Sequence, residues 1–70
     1  MITPAQIRAA RALLGWHQTD LAEAAGVSFN VVSRVERELV DPRASTLRAI
    51  QTALENAGIE FIENGVRRVR

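Results

Sequence analysis

The stretch from Gln18 to Glu36 reads QTDLAEAAGVSFNVVSRVE, and its spacing decides how the rest of the chain is read. Leu21, Ala22 and Ala25 recur at helical intervals and predict a short helix from Gln18 to Ala25. Asp20 and Glu23 face water on that helix, and Asp20 complements its positive end. Gly26 ends it, Val27 returns to the core, and Ser28 supplies an oxygen that accepts amide hydrogens at the start of a new helix. Val32 and Val35, three residues apart, carry the apolar face of this next helix, which spans Phe29 to Arg37. Its other face shows Phe29, Asn30, Ser33, Arg34 and Arg37, polar and aromatic groups with no core to serve. That face is available to a ligand.

Working outward toward the N-terminus, Thr3, Pro4 and Gln6 form a reciprocal capping arrangement that opens a first helix. Ile7, Ala10 and Leu14, with Ala9 and Leu13, give that helix a buried stripe, and Gly15 supplies its left-handed stop. Trp16 packs under the following turn or caps the core. In the other direction, a linker containing Leu39, Asp41 and Pro42 leads to Ser45, the expected cap of a fourth helix with Leu47, Ile50, Ala53 and Leu54 inward and Gly58 at its end.

The last twelve residues, IEFIENGVRRVR, change character, with branched and aromatic residues flanking Asn64 and Gly65 in a hairpin pattern. A two-residue turn at Asn64 and Gly65 would set Ile59 against Arg70 and Glu60 against Val69. A three-residue loop of Glu63, Asn64 and left-handed Gly65 pairs Ile62 with Val66, Glu60 with Arg68 and Ile59 with Val69, and is the preferred register. The chain thus divides into a helical domain, residues 1–58, and a tail, residues 59–70. A lone two-stranded hairpin is marginal in water, so the tail either joins a partner copy or lids the helices.

Composition narrows the function classes. A chain of 70 residues has room for one small core and little room for a cleft besides, and such domains often rely on a partner subunit. It contains no cysteine, which excludes disulfides, thiolate zinc sites and cysteine nucleophiles and suits a reducing cytoplasm. His17, the single histidine, has no companions for a metal site. There is no triad, no phosphate-cradling glycine loop and no cofactor motif, so an enzyme is not expected. Arg8 and Arg11 interrupt the apolar N-terminal stretch, which is neither a signal peptide nor a membrane span. The net charge is only +1, but all nine basic residues are arginine, each a planar fork suited to phosphate or guanine.

Gln18, Leu21, Ala22, Gly26, Val27, Ser28, Val32, Ser33 and Glu36 stand at the spacing of the Cro and phage-repressor class of helix-turn-helix regulators, the XRE-like family, and the chain resembles that family through about Leu54. The resemblance implies a mainly α fold, a compact bundle of four or five short helices, here followed by a C-terminal hairpin or strand. It also implies a double-stranded DNA partner, with the helix from Phe29 lying in the major groove. The implied DNA-binding set is Gln18, Ser28, Phe29, Asn30, Ser33, Arg34, Arg37 and Arg43. In that set Arg34 can fork onto guanine and Asn30 can pair with adenine, while Ser33 touches base or phosphate. Phe29 presses on a thymine methyl, intrudes between bases or buries against the partner helix. Gln18 fixes a phosphate, and Arg37 and Arg43 grip the backbone. Arg11 and Glu36 form a partly buried ion pair joining the first and third helices.

Two residues depart from the family pattern. His17 replaces the hydroxyl residue that commonly caps the second helix, and Glu38 replaces the glycine that usually ends the third, so that helix either runs on or turns differently. The expected activity is that of a dimeric repressor on a near-palindromic operator. The alternative is an antitoxin or accessory DNA-binding protein whose tail engages another protein.

Overall fold

The N-terminal capping arrangement forms as its sequence predicts. Thr3 Oγ1 accepts the Gln6 amide hydrogen at 3.2 Å, and Gln6 Oε1 accepts the Thr3 amide hydrogen at 2.9 Å, opening α1 (Pro4–Leu14). The computed structural model describes residues 1–39 and 41–70. After α1 come α2 (Gln18–Ala25), α3 (Phe29–Glu36) and α4 (Ala44–Asn56), then the antiparallel hairpin of β1 (Ile59–Ile62) and β2 (Gly65–Arg68).

Each helix sends one stripe into a common core: Ile7 from α1, Leu21 from α2, Val32 and Val35 from α3, Ile50 and Leu54 from α4, all fully buried. Burying each such side chain stabilises the fold by roughly 1.5–3 kcal/mol. Leu14, Trp16 and Val27 pack partly buried against this core. Ala9 and Leu13 do not, and Leu13 is 44% exposed. At about 100° per residue, Leu13 lies some 120° from the Ile7 direction, off the inward stripe.

Three helices end by the same closure, in which one amide just past the helix reaches back five residues and the amide before it reaches back three. Trp16 N bonds Arg11 O and Gly15 N bonds Ala12 O after α1; Val27 N bonds Ala22 O and Gly26 N bonds Glu23 O after α2. After α3, Leu39 N bonds Arg34 O at 3.0 Å and Glu38 N bonds Val35 O at 3.1 Å. The closure needs a left-handed residue, which is Gly26 at φ 70° after α2 but Glu38 at φ 59° after α3. The helix therefore does not run on past Glu38. It ends at Glu36, one residue earlier than expected, with Arg37 as its cap.

Ser45 is not the cap of α4. Arg43 takes that position in an extended conformation, and its carbonyl accepts the Leu47 amide at 3.1 Å. Starting the helix two residues earlier gives buried Leu47 a backbone acceptor that a Ser45 start would have left among the orphan amides of a first turn.

The hairpin adopts neither of the two registers considered from the sequence. Ile59 pairs with Arg68, Glu60 with Arg67, Phe61 with Val66 and Ile62 with Gly65, so the turn is Glu63 and Asn64, with Asn64 left-handed at φ 60°. Side-chain burial selects this pairing. It places Ile59, Phe61 and Val66 on one face, against the helices, whereas pairing Ile62 with Val66 would have turned Val66 to the opposite face. Gln6, buried on α1, fastens the turn: its Nε2 donates to Ile62 O at 2.8 Å and to Gly65 O at 3.0 Å. The tail thus shares the core of the helical part.

Candidate nucleic-acid interface

The geometry of α3 begins with what anchors it. Glu36 is 3% exposed, and its carboxylate receives two parallel bonds from Arg11, Nε to Oε2 and Nη2 to Oε1, each 2.9 Å. This is the expected pair between the first and third helices, in fork geometry. Arg11 Nη1 also donates to Trp16 O at 2.9 Å, and Gln18 Nε2 donates to Glu36 Oε1 at 3.1 Å. Arg8 donates to the carbonyl of Glu36, a cation at the negative end of α3. One acidic residue thereby ties α1, α2 and α3 together, and every group it buries is paired. Such a network fixes orientation more than it adds stability.

With Val32, Val35 and Glu36 inward, the opposite face of α3 is set. Asn30 and Arg34 are exposed one turn apart, Ser33 is half-buried beside them, and Arg37 is exposed just past the last turn. Phe29, the first residue of the helix, is 47% exposed. Ser28 caps the helix, its Oγ accepting the Val31 amide hydrogen at 3.1 Å. Its hydroxyl hydrogen is left to donate elsewhere. Arg43 is exposed at the start of α4. Gln18, at the start of α2, has one amide hydrogen committed to Glu36 and a second that can still donate outward. At His17 no side-chain hydrogen bond caps α2; the Asp20 carboxylate instead accepts the His17 amide at 2.8 Å.

The arginines separate into two groups. Arg8, Arg11, Arg67, Arg68 and Arg70 donate to carbonyls or carboxylates of the fold. Among the described residues, Arg34, Arg37, Arg43 and Arg48 have no such acceptor, and the first three are those the sequence places on the reading side. The sequence reading missed the part Arg8 plays, although its spacing of three from Arg11 on one helix was an available signal.

A helix-turn-helix family model matches residues 7–61, from Ile7 in α1 into β1. The chain belongs to the helix-turn-helix family of Cro and phage-repressor (XRE) type. No curated protein matches it. Membership makes this XRE-type protein a DNA-binding regulator, and the two helices of its motif are α2 and α3, joined through Gly26, Val27 and Ser28. Among the described residues, no helix of this XRE-type protein is long and apolar enough to cross a membrane.

Proposed function

We propose that this XRE-type protein is a sequence-specific transcriptional repressor that works in the cytoplasm as a homodimer and reads a near-palindromic operator with α3. The observation that carries this reading is the face of α3 itself. Unengaged Arg34 and Arg37 stand there with Asn30 and Phe29, on a helix held by a paired, buried Glu36. Arg34 reads guanine and Asn30 adenine, while Phe29 and Ser33 complete the base-facing set. Ser28, Gln18, Arg37 and Arg43 bind phosphates around it, fixing register without reading sequence. Two such helices require half-sites whose centres lie about 34–36 Å apart.

Selection of bound duplexes from a random library tests this directly. The expected product is an inverted repeat with one helical turn between half-site centres. Arg34→Ala is expected to cost roughly 1–3 kcal/mol of affinity and to randomise one position per half-site, whereas Arg43→Ala weakens all sequences alike and lowers the salt slope by about one. An Arg34→Ala protein that selects the same site with the same affinity would end the proposal.

One observation favours the antitoxin reading as a second possibility. With Ile62 and Gly65 as the closing bonded pair, the alternation of the ladder turns the backbone groups of Ile59 and Phe61 outward on β1 and those of Val66 and Arg68 outward on β2. Among the described residues these edges have no backbone partner, and beyond buried Ile59 a strand of another protein can add to them. Removing the whole tail cannot decide between dimer and partner, because Ile59 is core. A charge at exposed Ile62, Ile62→Lys, leaves that core intact, and the mass of the protein in solution before and after reports whether the hairpin holds a second copy.

A further inference from the structure

Within the helix-turn-helix, from Gln18 to Glu36, Phe29 is the one large apolar side chain that the fold leaves exposed. Val27 and Val31 on either side of it pack partly buried against the core, so apolar surface in this segment otherwise goes inward. Phe29 cannot turn inward as they do. It is the first residue of α3, directly after the Ser28 cap, and the inward stripe of that helix is taken by Val32 and Val35 with Glu36 beside them. Its neighbours one position and one turn on, Asn30 and Ser33, are polar, so the exposed face of the helix does not continue from it as an apolar stripe. A lone aromatic among hydrogen-bonding groups matches one feature of the major groove, whose base edges are donors and acceptors except at the C5-methyl group of a pyrimidine.

We infer that Phe29 is a methyl reader: the protein's site contains, in each half, a C5-methylated pyrimidine against which the Phe29 ring packs. The inference rests on the proposal that α3 reads DNA, and it adds what the hydrogen-bonding residues cannot supply. Arg34 and Asn30 recognise purines, so Phe29 gives the helix its means of reading a pyrimidine. Thymine carries the methyl group constitutively and 5-methylcytosine carries it after modification. In the second case occupancy of the site would follow DNA methylation.

The test uses the duplex that the full-length protein selects from a random library. In one set of probes each thymine is replaced singly by deoxyuridine, which lacks only the methyl group; in another each cytosine is replaced by 5-methylcytosine. Wild type, Phe29→Ala and Arg34→Ala are titrated against all of them. If thymine is the target, one deoxyuridine per half-site weakens wild type about fourfold, the effect of losing one buried methyl-sized group, and leaves Phe29→Ala unchanged. If 5-methylcytosine is the target, one methylated position strengthens wild type by the same factor and again leaves Phe29→Ala unchanged. The inference is overturned if neither substitution distinguishes wild type from Phe29→Ala while Arg34→Ala still relaxes the selected site; the reading role of α3 then survives. It is overturned together with that role if the wild type selects no sequence. Thermal unfolding of Phe29→Ala is expected to stay close to wild type, because Phe29 lies outside the buried core.

Discussion

The outward face of α3 and the hairpin both carry arginines, and the two sets have opposite fates. On the hairpin Arg67 pairs with Glu60, Arg68 donates to Leu13 O at the end of α1, and Arg70 donates to Glu55 O and Asn56 O at the end of α4. On α3, Arg34 and Arg37 have no such acceptors among the described residues. The difference is one of topology. The last carbonyls of a helix are orphans that attract cations, and the hairpin runs past two such ends. The side of α3 presents a helix wall whose carbonyls are already used, and its own end is closed by Glu38, Leu39 and Arg8. A guanidinium's task is therefore set by the acceptors within its reach, and variants in the two regions are expected to report on different properties: unfolding for the hairpin, DNA for α3.

Glu36 is where the two properties meet, and it carries the largest expected effect. Glu36→Ala strands Arg11 and frees Gln18, while Arg8 keeps the main-chain carbonyl of residue 36 as its acceptor. The loss is about 3 kcal/mol, the low end for breaking a buried pair, because the Arg11 side chain keeps 22% exposure. Urea unfolding measures it, and DNA binding is expected to fall with it. An unchanged midpoint would remove Glu36 as the element that positions α3.

Gln6→Ala comes next. It deletes the bonds to Thr3 N, Ile62 O and Gly65 O, and a loss of about 1.5 kcal/mol is expected, since the two carbonyls keep their strand partners. Amide exchange at Ile62 and Gly65, the bonded pair that Gln6 holds, is expected to quicken while operator affinity holds. A fall in affinity with the fold intact would break the separation between the regions. Arg68→Ala, which loses a cation at the end of α1, lowers stability by no more than about 1 kcal/mol and leaves DNA binding unchanged. If it weakened DNA binding as much as Arg34→Ala, the hairpin would belong to the interface.

The elements that were legible in the sequence are those specified locally. Thr3 and Gln6, Gly26, Ser28, and the apolar spacing of α1 to α4 each act within one or two turns, and the four helices all appear, with only the end of α3 and the start of α4 displaced by one or two residues. The hairpin register was not legible, because it depends on which face meets α1 and α4 and on Gln6 binding the turn from more than fifty residues away. Ser45 misled for a related reason. A good capping residue lost to the need of Leu47, two positions on, for a backbone acceptor within the core. The membership of the reading face followed from α3 periodicity alone, but the fact that its arginines stay unengaged while the hairpin's do not required the packing.

Glu38 carries the smallest stability effect and sharpens the comparison most finely, because it acts in both properties at once. Held left-handed at φ 59°, it bears a cost of about 1–2 kcal/mol that glycine would not. Glycine loses roughly 0.5–1 kcal/mol of that advantage through the freedom of its unfolded chain, so Glu38→Gly is expected to stabilise by about 0.5 kcal/mol net. The same change removes a negative charge one residue beyond Arg37, which strengthens binding to every sequence without altering the selected site. Glu38→Ala separates the two effects: it removes the charge but keeps the left-handed cost. It is therefore expected to raise affinity as much as glycine does while leaving the unfolding midpoint near that of wild type. If the two variants instead shift the midpoint equally, the backbone at Glu38 carries no strain, and the family's usual glycine at this place matters for charge and space rather than for conformation.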